Sequence, residues 1–336
     1  MPVVALGAPL LHAGPDALRA AVVDFLGDAV LVRIDDAPGA LEPQTAEWLR
    51  HLPALTLAVG DGAPADAFDL VTDDPSVADT WCAAFEQAPH AALAAALLVR
   101  QPRRDVWSAL VAESVVYSLL QSGPDFAAWR AAHPATPADD DAPRVRVAQR
   151  DGVTDVVLTR PQRHNALDAR LRDQLFDALR AAGTTDGPVV VRGEGPSFCS
   201  GGDLDEFGSF PDPVRSNEIR LARSVAWLFH DLAPRLVVAV HGASLGAGIE
   251  LPAFAGRVIA ADDAQVGLPE LALGLVPGSG GSVSITRRVG RARFLELLLL
   301  DGTLPAATAR RWGLVDEVVP LDRLERRAFE VAESLA

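Results

Sequence analysis

Residues 241–281 read HGASLGAGIELPAFAGRVIAADDAQVGLPELALGLVPGSGG, and how this stretch is read decides the fold. The apolar run Leu236–Val240 before it has β character, and the small residues Gly242–Gly248 form a tight turn after it. A strand, a Gly-rich turn and a helix start in that order present backbone N–H groups at the helix N-terminus. With the helix dipole behind them, such groups suit an anion or a developing oxyanion. Glu250 falls in the first helical turn beside those donors, and Glu270 follows a proline. Both sit among aliphatic neighbours: Ile249, Leu251 and Pro252 around the first, Leu268, Pro269 and Leu271 around the second. A carboxyl in apolar surroundings has a raised pKa and suits proton transfer near neutrality. Taken singly, either glutamate is more simply a dipole-favoured residue at a helix start. A chemical role therefore needs a second source of oxyanion donors elsewhere in the chain.

The chain of 336 residues has room for two domains and a substantial core. Its 49% hydrophobic content and 6% aromatics describe an ordinary globular protein. The formal net charge of −15 argues against nucleic acid and anionic membrane surfaces as partners. A phosphate-bearing ligand stays open, since it needs only a few local Arg residues or N–H groups. The two cysteines, Cys82 and Cys199, belong to no Cys/His cluster of metal-ligand spacing. No targeting-type N-terminus and no membrane-length apolar run is read, and the leucines of 295–300 are interrupted by Glu296. The expectation is a soluble, cytoplasmic protein with free thiols and no metal.

From the N-terminus, Ala29–Ile34 and Leu55–Val59 read as short buried strands with a helix, Pro43–Leu52, between them. No Gly-rich phosphate fingerprint follows either strand. From about residue 75 the pattern turns helical: Ser76–Ala88, Pro89–Arg100, Arg103–Ser122 and Pro124–Ala132, with Pro89 and Pro124 at first-turn positions. Trp81, Trp107, Tyr117 and Trp129 read as core or interface packing. Residues 135–143, ATPADDDAP, form a linker. After it comes a hairpin, Arg144–Gln149 and Thr154–Thr159, turning at Asp151–Gly152. RPQRHNAL, 160–167, leads into an amphipathic helix, Asp168–Ala182, and then a buried strand, Pro188–Arg192. GEGPSFCSGGDLDEF, 193–207, is expected to pass through a glycine turn into a helix starting near Asp203, which makes Gly201–Gly202 the second donor site. Residues 208–233 border a pocket, with a mobile loop at Asp212–Asn217 and an amphipathic helix at Ile219–Leu232. His230 on that helix reads as a surface or capping group. Two helices, Ser282–Val289 and Arg291–Leu300, then Pro305–Trp312, a strand Leu314–Val319 and a helix Asp322–Leu335 complete the reading.

RPQRHNAL, SFCSGGDLDEF, GASLGAGIEL with GLPELALGLVPGSGG, and GLVDEVVP occur in an order and spacing that resemble the enoyl-CoA hydratase/isomerase (crotonase) superfamily over roughly 145–335. The resemblance implies an α/β fold, a crotonase-like spiral of ββα turns, assembled as trimers or hexamers. It implies an acyl-CoA thioester substrate, with coenzyme A present only as part of that substrate and no metal or redox cofactor. Carried over by motif position, Gly202 and Ala247 supply the oxyanion hole. Glu250 and Glu270 match the two glutamates of the hydratase branch, which hold a water between them. Coenzyme A would be addressed by Arg163, Ala166, Ser200, Gly201, Asp203 and Leu204. The leading implication is hydration of a 2-enoyl-CoA or the reverse dehydration. Isomerase, lyase, thioesterase, cofactor-free oxygenase and non-catalytic acyl-CoA-binding roles stand as alternatives.

Three departures from the pattern are visible: Gly256 where an Asp is usual, Pro252 within the helix, and Ala247 in place of a glycine. A fourth concerns the ends. Family members continue beyond GLVDEVVP for about three helices, and here one follows. Residues 68–100 and 110–133 resemble that tail, and 28–62 weakly echoes 155–195. The division implied is an N-terminal domain, 1–134, resembling a degenerate crotonase-like unit, a linker, 135–143, and a catalytic core, 144–336. The helices at 89–132 are expected to cover the face that the tail covers elsewhere.

Overall fold

Valine-rich runs build the central sheet of the computed structural model, which describes residues 3–25, 27–101, 105–136, 141–209, 212–300 and 302–335. Val145–Arg150 and Val153–Leu158 pair antiparallel. Their turn places Asp151 and Gly152 at φ 50° and 83°, the double positive φ of a two-residue hairpin. Beyond this hairpin the sheet is parallel, in the order Val153–Leu158, Val189–Gly193, Leu236–Val240, Arg257–Ala261, Glu317–Val319. Parallel strands are covered on both faces, and alternate residues serve different layers. Val153, Val190, Val237 and Ile259 meet Leu324, Ala328 and Ala332 of the helix Leu324–Glu333. Val156, Val191, Val238 and Ala260 point into the main core.

After Val240 and again after Ala261 the chain steps onto a smaller sheet. Ala243–Leu245 and Gln265–Gly267 pair parallel there, with Leu304–Pro305 antiparallel at the edge. This alternation between two sheets is the ββα spiral that the motifs imply.

A four-stranded parallel sheet occupies the N-terminal part: Val3–Gly7, Leu31–Asp35, Leu55–Val59, Leu70–Thr72. The first of these strands goes beyond the sequence reading, since no turn signal precedes it. One face of this sheet closes a small core with Leu11, Leu18, Val22 and Leu49. The other face, through Leu31, Leu55 and Leu57, joins the main core. The helices Pro75–Gln87, Pro89–Arg100, Val106–Gln121 and Pro124–Ala132 follow. Asp74 and Asp105 cap the first and third by accepting from the N–H groups of Ser76 (2.8 Å) and Ser108 (3.0 Å). These helices are not a separate bundle. Pro89–Arg100 and Val106–Gln121 pack on Gly281–Leu298, which is two helical segments broken at Gly290 (φ 84°, ψ 165°) as the sequence reading expects, and Val106–Gln121 also lies along the helix Pro213–Ala222. Arg130 Nη1 donates to the carbonyls of Leu204 (2.8 Å) and Phe207 (2.9 Å), and Arg291 Nη2 to those of Asp66 (2.6 Å) and Phe68 (3.1 Å). Among the described residues, no single helix is long and apolar enough to cross a membrane.

Three expectations are corrected. No helix starts at Asp203, and residues 204–208 form turns. Asp203 Oδ1 accepts from the N–H of Asp205 (3.1 Å), while Oδ2 is held by Arg160 (2.6 Å), so the carboxylate ties off a local turn. Residues 213–217 are helical and not a loop: Pro213 opens the helix Pro213–Ala222, and Asp212 accepts from the N–H groups of Val214 (2.9 Å) and Arg215 (3.1 Å). The reading Ile219–Leu232 is two helices, because Ser224 caps a fresh start, Val225–Asp231, by accepting from Trp227 N–H (3.2 Å). The departures have packing causes. A Cβ on Gly256 would lie 2.2 Å from the Ala233 carbonyl oxygen, so no larger residue fits there. Pro252 starts a 3-10 turn, Pro252–Phe254, directly after the short helix Ala247–Glu250.

Trp81, Phe85, Leu110 and Phe126 are buried in the same core as the central sheet. Residues 144–336 produced alone should therefore expose a large apolar face and aggregate. Size-exclusion chromatography beside the full chain checks this; a dispersed fragment with a full-length melting temperature would contradict it.

Candidate active site

The two glutamates of the opening stretch meet at one cavity of about 410 Å³. Gly246 makes this possible. It precedes the helix Ala247–Glu250 at φ 50°, ψ −122°, and a Cβ there would stand 2.5 Å from Glu270 Oε1. Only glycine lets the Glu270 carboxyl come down on the helix start. Glu250 is 2% exposed; its Oε2 accepts from the N–H groups of Ser279 (2.7 Å) and Gly281 (2.9 Å), at the N-terminus of Gly281–Leu298. Glu270, 7% exposed, lies in the 3-10 turn Pro269–Leu273, and its Oε2 is buried without a hydrogen-bond partner.

Burial raises the pKa of Glu250 well above the usual carboxylate value, with the like charges of Glu270 and Glu113 adding. The two N–H donors pull it back only in part. Glu270 is pushed up to about 8, again chiefly by burial, with Glu113 adding; its own N–H and a hydrogen bond with Glu250 oppose the rise. The pair thus holds protons into the neutral range, as general acids and bases require.

The donor residues border the same space. Gly202 pairs with Leu167 in an isolated bridge: Leu167 N–H donates to the Gly201 carbonyl (2.7 Å) and Asp203 N–H to that of Leu167 (3.0 Å). Gly202 and Ala247 both line the cavity. Among the described residues, neither N–H donates to a protein acceptor. Ala247 is the first residue of its helix, where the N–H has no intrahelical partner.

The residues expected along coenzyme A form a braced loop beside the cavity. Arg160 is buried, with Nη1 on Asp203 Oδ2 (2.6 Å) and the Ala166 carbonyl (3.1 Å). Asn165, fully buried at φ 52°, accepts from Arg160 N–H (2.8 Å) and donates to the carbonyls of Glu194 and Ser197 (both 2.9 Å). RPQRHNAL is thereby locked to 194–197. Ser200 N–H donates to the His164 carbonyl (3.0 Å). Arg163 turns its guanidinium to Asp203 and Asp205. Leu204 is exposed and does not line the cavity, and the Asp203 side chain is engaged by the two arginines.

The sequence reading missed the contribution of Val106–Gln121. Glu113, Tyr117 and Gln121 recur every four residues on one face of that helix. Tyr117 and Gln121 line the cavity, so Tyr117 is both a core packing residue, as the sequence suggests, and part of the cavity wall. Its ring covers Gly278, where a Cβ would lie 2.6 Å from the ring, and Arg220 stacks on it at 4.5 Å. Glu113 is 2% exposed and accepts from Gly280 N–H (2.6 Å), Ser282 N–H (2.9 Å) and Ser282 Oγ–H (2.6 Å). The available signal was a lone carboxylate amid the apolar run VWSALVAESVVY, with serines beside it. His230 packs against Trp227 and Phe254, away from the cavity lining.

Residues 148–336 match the family model described as enoyl-CoA hydratase/isomerase. A probable enoyl-CoA hydratase of Rhizobium meliloti (strain 1021) is 37% identical over 185 residues, which cover 54% of this chain and 70% of that protein. The crystal structure of enoyl-CoA hydratase from Bacillus anthracis superposes with a TM-score of 0.53 at 31% identity, over 57% of this chain and 76% of that one. A Thermobifida fusca YX relative solved in complex with CoA gives 0.50 at 29% identity, over 57% and 78%. The α/β core is the crotonase fold, and the protein is an enzyme of the hydratase/isomerase type. The chain belongs to the enoyl-CoA hydratase/isomerase family, whose ligands are acyl-CoA thioesters.

The raised carboxyl pKa values fix the sign of a pH effect. A carboxyl that binds its proton more tightly when folded contributes stability that is full below its unfolded pKa and lost as pH rises through its folded one. The melting temperature should fall between about pH 5 and pH 8.5, and Glu270→Gln should flatten that fall. Calorimetry in pH steps checks this; a variant curve parallel to the wild type would contradict it.

Proposed function

We propose that the protein adds water across the double bond of a 2-enoyl-CoA, and runs the reverse dehydration of a 3-hydroxyacyl-CoA. The observation that carries this reading is the buried pair Glu250 and Glu270 facing one cavity beside two uncommitted N–H groups. A water held between the carboxyls loses a proton to one of them as its oxygen attacks Cβ. The other carboxyl delivers a proton to Cα, so one H and one OH are added in total. Negative charge gathers meanwhile on the thioester oxygen, and the N–H groups of Gly202 and Ala247 stabilise it as an oxyanion hole. Coenzyme A enters only as part of the substrate and runs along Arg163, Ala166, Ser200 and Gly201. Asp203 and Leu204 contribute through backbone groups and the shape of the loop. No metal or redox cofactor has a part in these steps.

Isomerisation needs one carboxyl to move a proton between carbons, and the presence of two around one cavity favours hydration. Family membership and the exposed apolar Val115 (52%) and Leu119 (70%) on the helix Val106–Gln121 support a homo-oligomer, trimer or hexamer, which light scattering checks.

A panel of enoyl-CoA and hydroxyacyl-CoA thioesters, read by loss of the conjugated-thioester absorbance and by the mass of added water, tests the reading. Glu250→Gln and Glu270→Gln should each lower turnover by about 10²-fold or more while thioester binding persists. Ala247→Pro is the cleaner probe of the hole, because a helix-initial proline removes an N–H that the helix does not use. It should cost about 10² to 10³ in kcat with little change in melting temperature. Near wild-type turnover in any of the three would remove that residue from the mechanism.

A further inference from the structure

Four successive backbone N–H groups, from Ser279 to Ser282, open the helix Gly281–Leu298, and they are shared between two carboxylates in alternation. Ser279 and Gly281 donate to Glu250, while Gly280 and Ser282 donate to Glu113. The Ser282 hydroxyl adds a third bond to Glu113. Glu113 arrives from a helix more than 160 residues upstream in the chain, and the family match begins only at residue 148. We propose that Glu113 is a positioning residue for the Glu250–Glu270 pair: it fixes the register in which the Ser279–Ser282 segment holds Glu250, and it supplies the neighbouring charge against which the pair exchanges protons. This rests on the hydratase reading above.

Geometry and charge both support the role. Glu113 accepts three hydrogen bonds on one segment, so that segment cannot rotate its remaining N–H groups away from Glu250. The like charge of Glu113 is among the causes that raise the proton affinity of both Glu250 and Glu270. Glu113 itself is pushed up to about 7 by burial, with its hydrogen bonds and Arg220 opposing. Arg220, on the neighbouring helix, is the cation that faces it, with Arg172 repelling Arg220 from beyond. Arg220 forms no ion pair within salt-bridge distance among the described residues. It donates to Ser114 Oγ (3.0 Å) and Ser118 Oγ (3.1 Å) and stacks on Tyr117. The remaining titratable neighbours, Tyr117 and Cys199, are held neutral by burial. Three carboxyls and one cation therefore lie close together in the buried interior, and Glu113 is the carboxyl that does not line the substrate cavity.

Glu113→Gln in the full-length protein removes the charge at nearly constant volume and gives up acceptance at one of the two oxygen positions. Losing a like charge makes Glu250 and Glu270 easier to ionise, so both limbs of the kcat–pH profile should move to lower pH by about one unit. Leu110→Ala, a core change on the same helix, should lower the melting temperature and leave the profile in place. If Glu113→Gln fails to fold, Ser282→Ala takes one donor from Glu113, favours its neutral form and should move the profile in the same direction by less. A second readout needs no turnover. Carbon-13 carboxyl resonances of labelled glutamate, assigned with the Glu250→Gln and Glu270→Gln variants, should titrate at lower pH when Glu113 is replaced. If no thioester is hydrated, the hydratase reading fails while these resonances still decide the role of Glu113. An unmoved profile, or unmoved resonances, with only a loss of stability would overturn the proposal and leave Glu113 a structural cap.

Discussion

The N-terminus of Gly281–Leu298 is the feature on which the rest of the molecule depends. A helix start has N–H groups without intrahelical partners and the positive end of a dipole, so it can hold carboxylates that no salt bridge neutralises. Here it holds Glu250 from the loop side and Glu113 from the opposite side. Glu270 completes the cluster by lying against Gly246, one residue before the helix that carries Glu250. Without this anchor, Glu113 and Glu250, each 2% exposed, would face the full desolvation cost of a buried charge. With it, the cost is only partly offset, and the remainder appears as proton affinity raised toward neutrality. The same incomplete compensation that should weaken the fold at alkaline pH gives the carboxyls the proton affinity that the proposed hydration needs.

The scaffold around this anchor is braced by ion pairs of a different kind. Arg160 is held by Asp203 and Asp168, and Asp168 also pairs with Arg144. These groups are buried, but each carboxylate has an arginine, so the charges stay paired. Their work is to fix the two loops, 160–167 and 200–205, which border the cavity at Leu167, Gly202 and Asp203. The carboxylates in the loops are paired with arginines, whereas those at the helix start are held by backbone N–H groups.

Much of this was legible in residues. Asp-Gly announced its hairpin, prolines announced helix starts, and the run from 241 to 281 announced a carboxylate beside free N–H groups. Legibility failed where a side chain has two possible local uses. Asp203 and Asp212 are both acidic residues after a break in apolar pattern. One ties off a turn under two arginines, and the other caps a helix that Pro213 begins. Only the partners across space tell them apart. Glu113 failed for a stronger reason: its acceptors' donors lie 167 and 169 residues away. No local period encodes such a pairing, and a lone glutamate in an apolar helix reads equally well as a solvent-facing residue.

That long-range pairing changes what the N-terminal part is for. Its helices could cover the apolar face of the core with aliphatic and aromatic residues alone, and Phe85, Leu110 and Phe126 do so. Tyr117, Gln121 and Glu113 add polar groups on one helix face, which cover requires least and tolerates poorly unless each is satisfied. Among the described residues, Glu113 accepts hydrogen bonds only from the start of Gly281–Leu298, the same segment that donates to Glu250. Docking of the upstream helices therefore brings the third carboxyl into the cluster. The site is finished by the assembly of the whole chain, not by the spiral core alone.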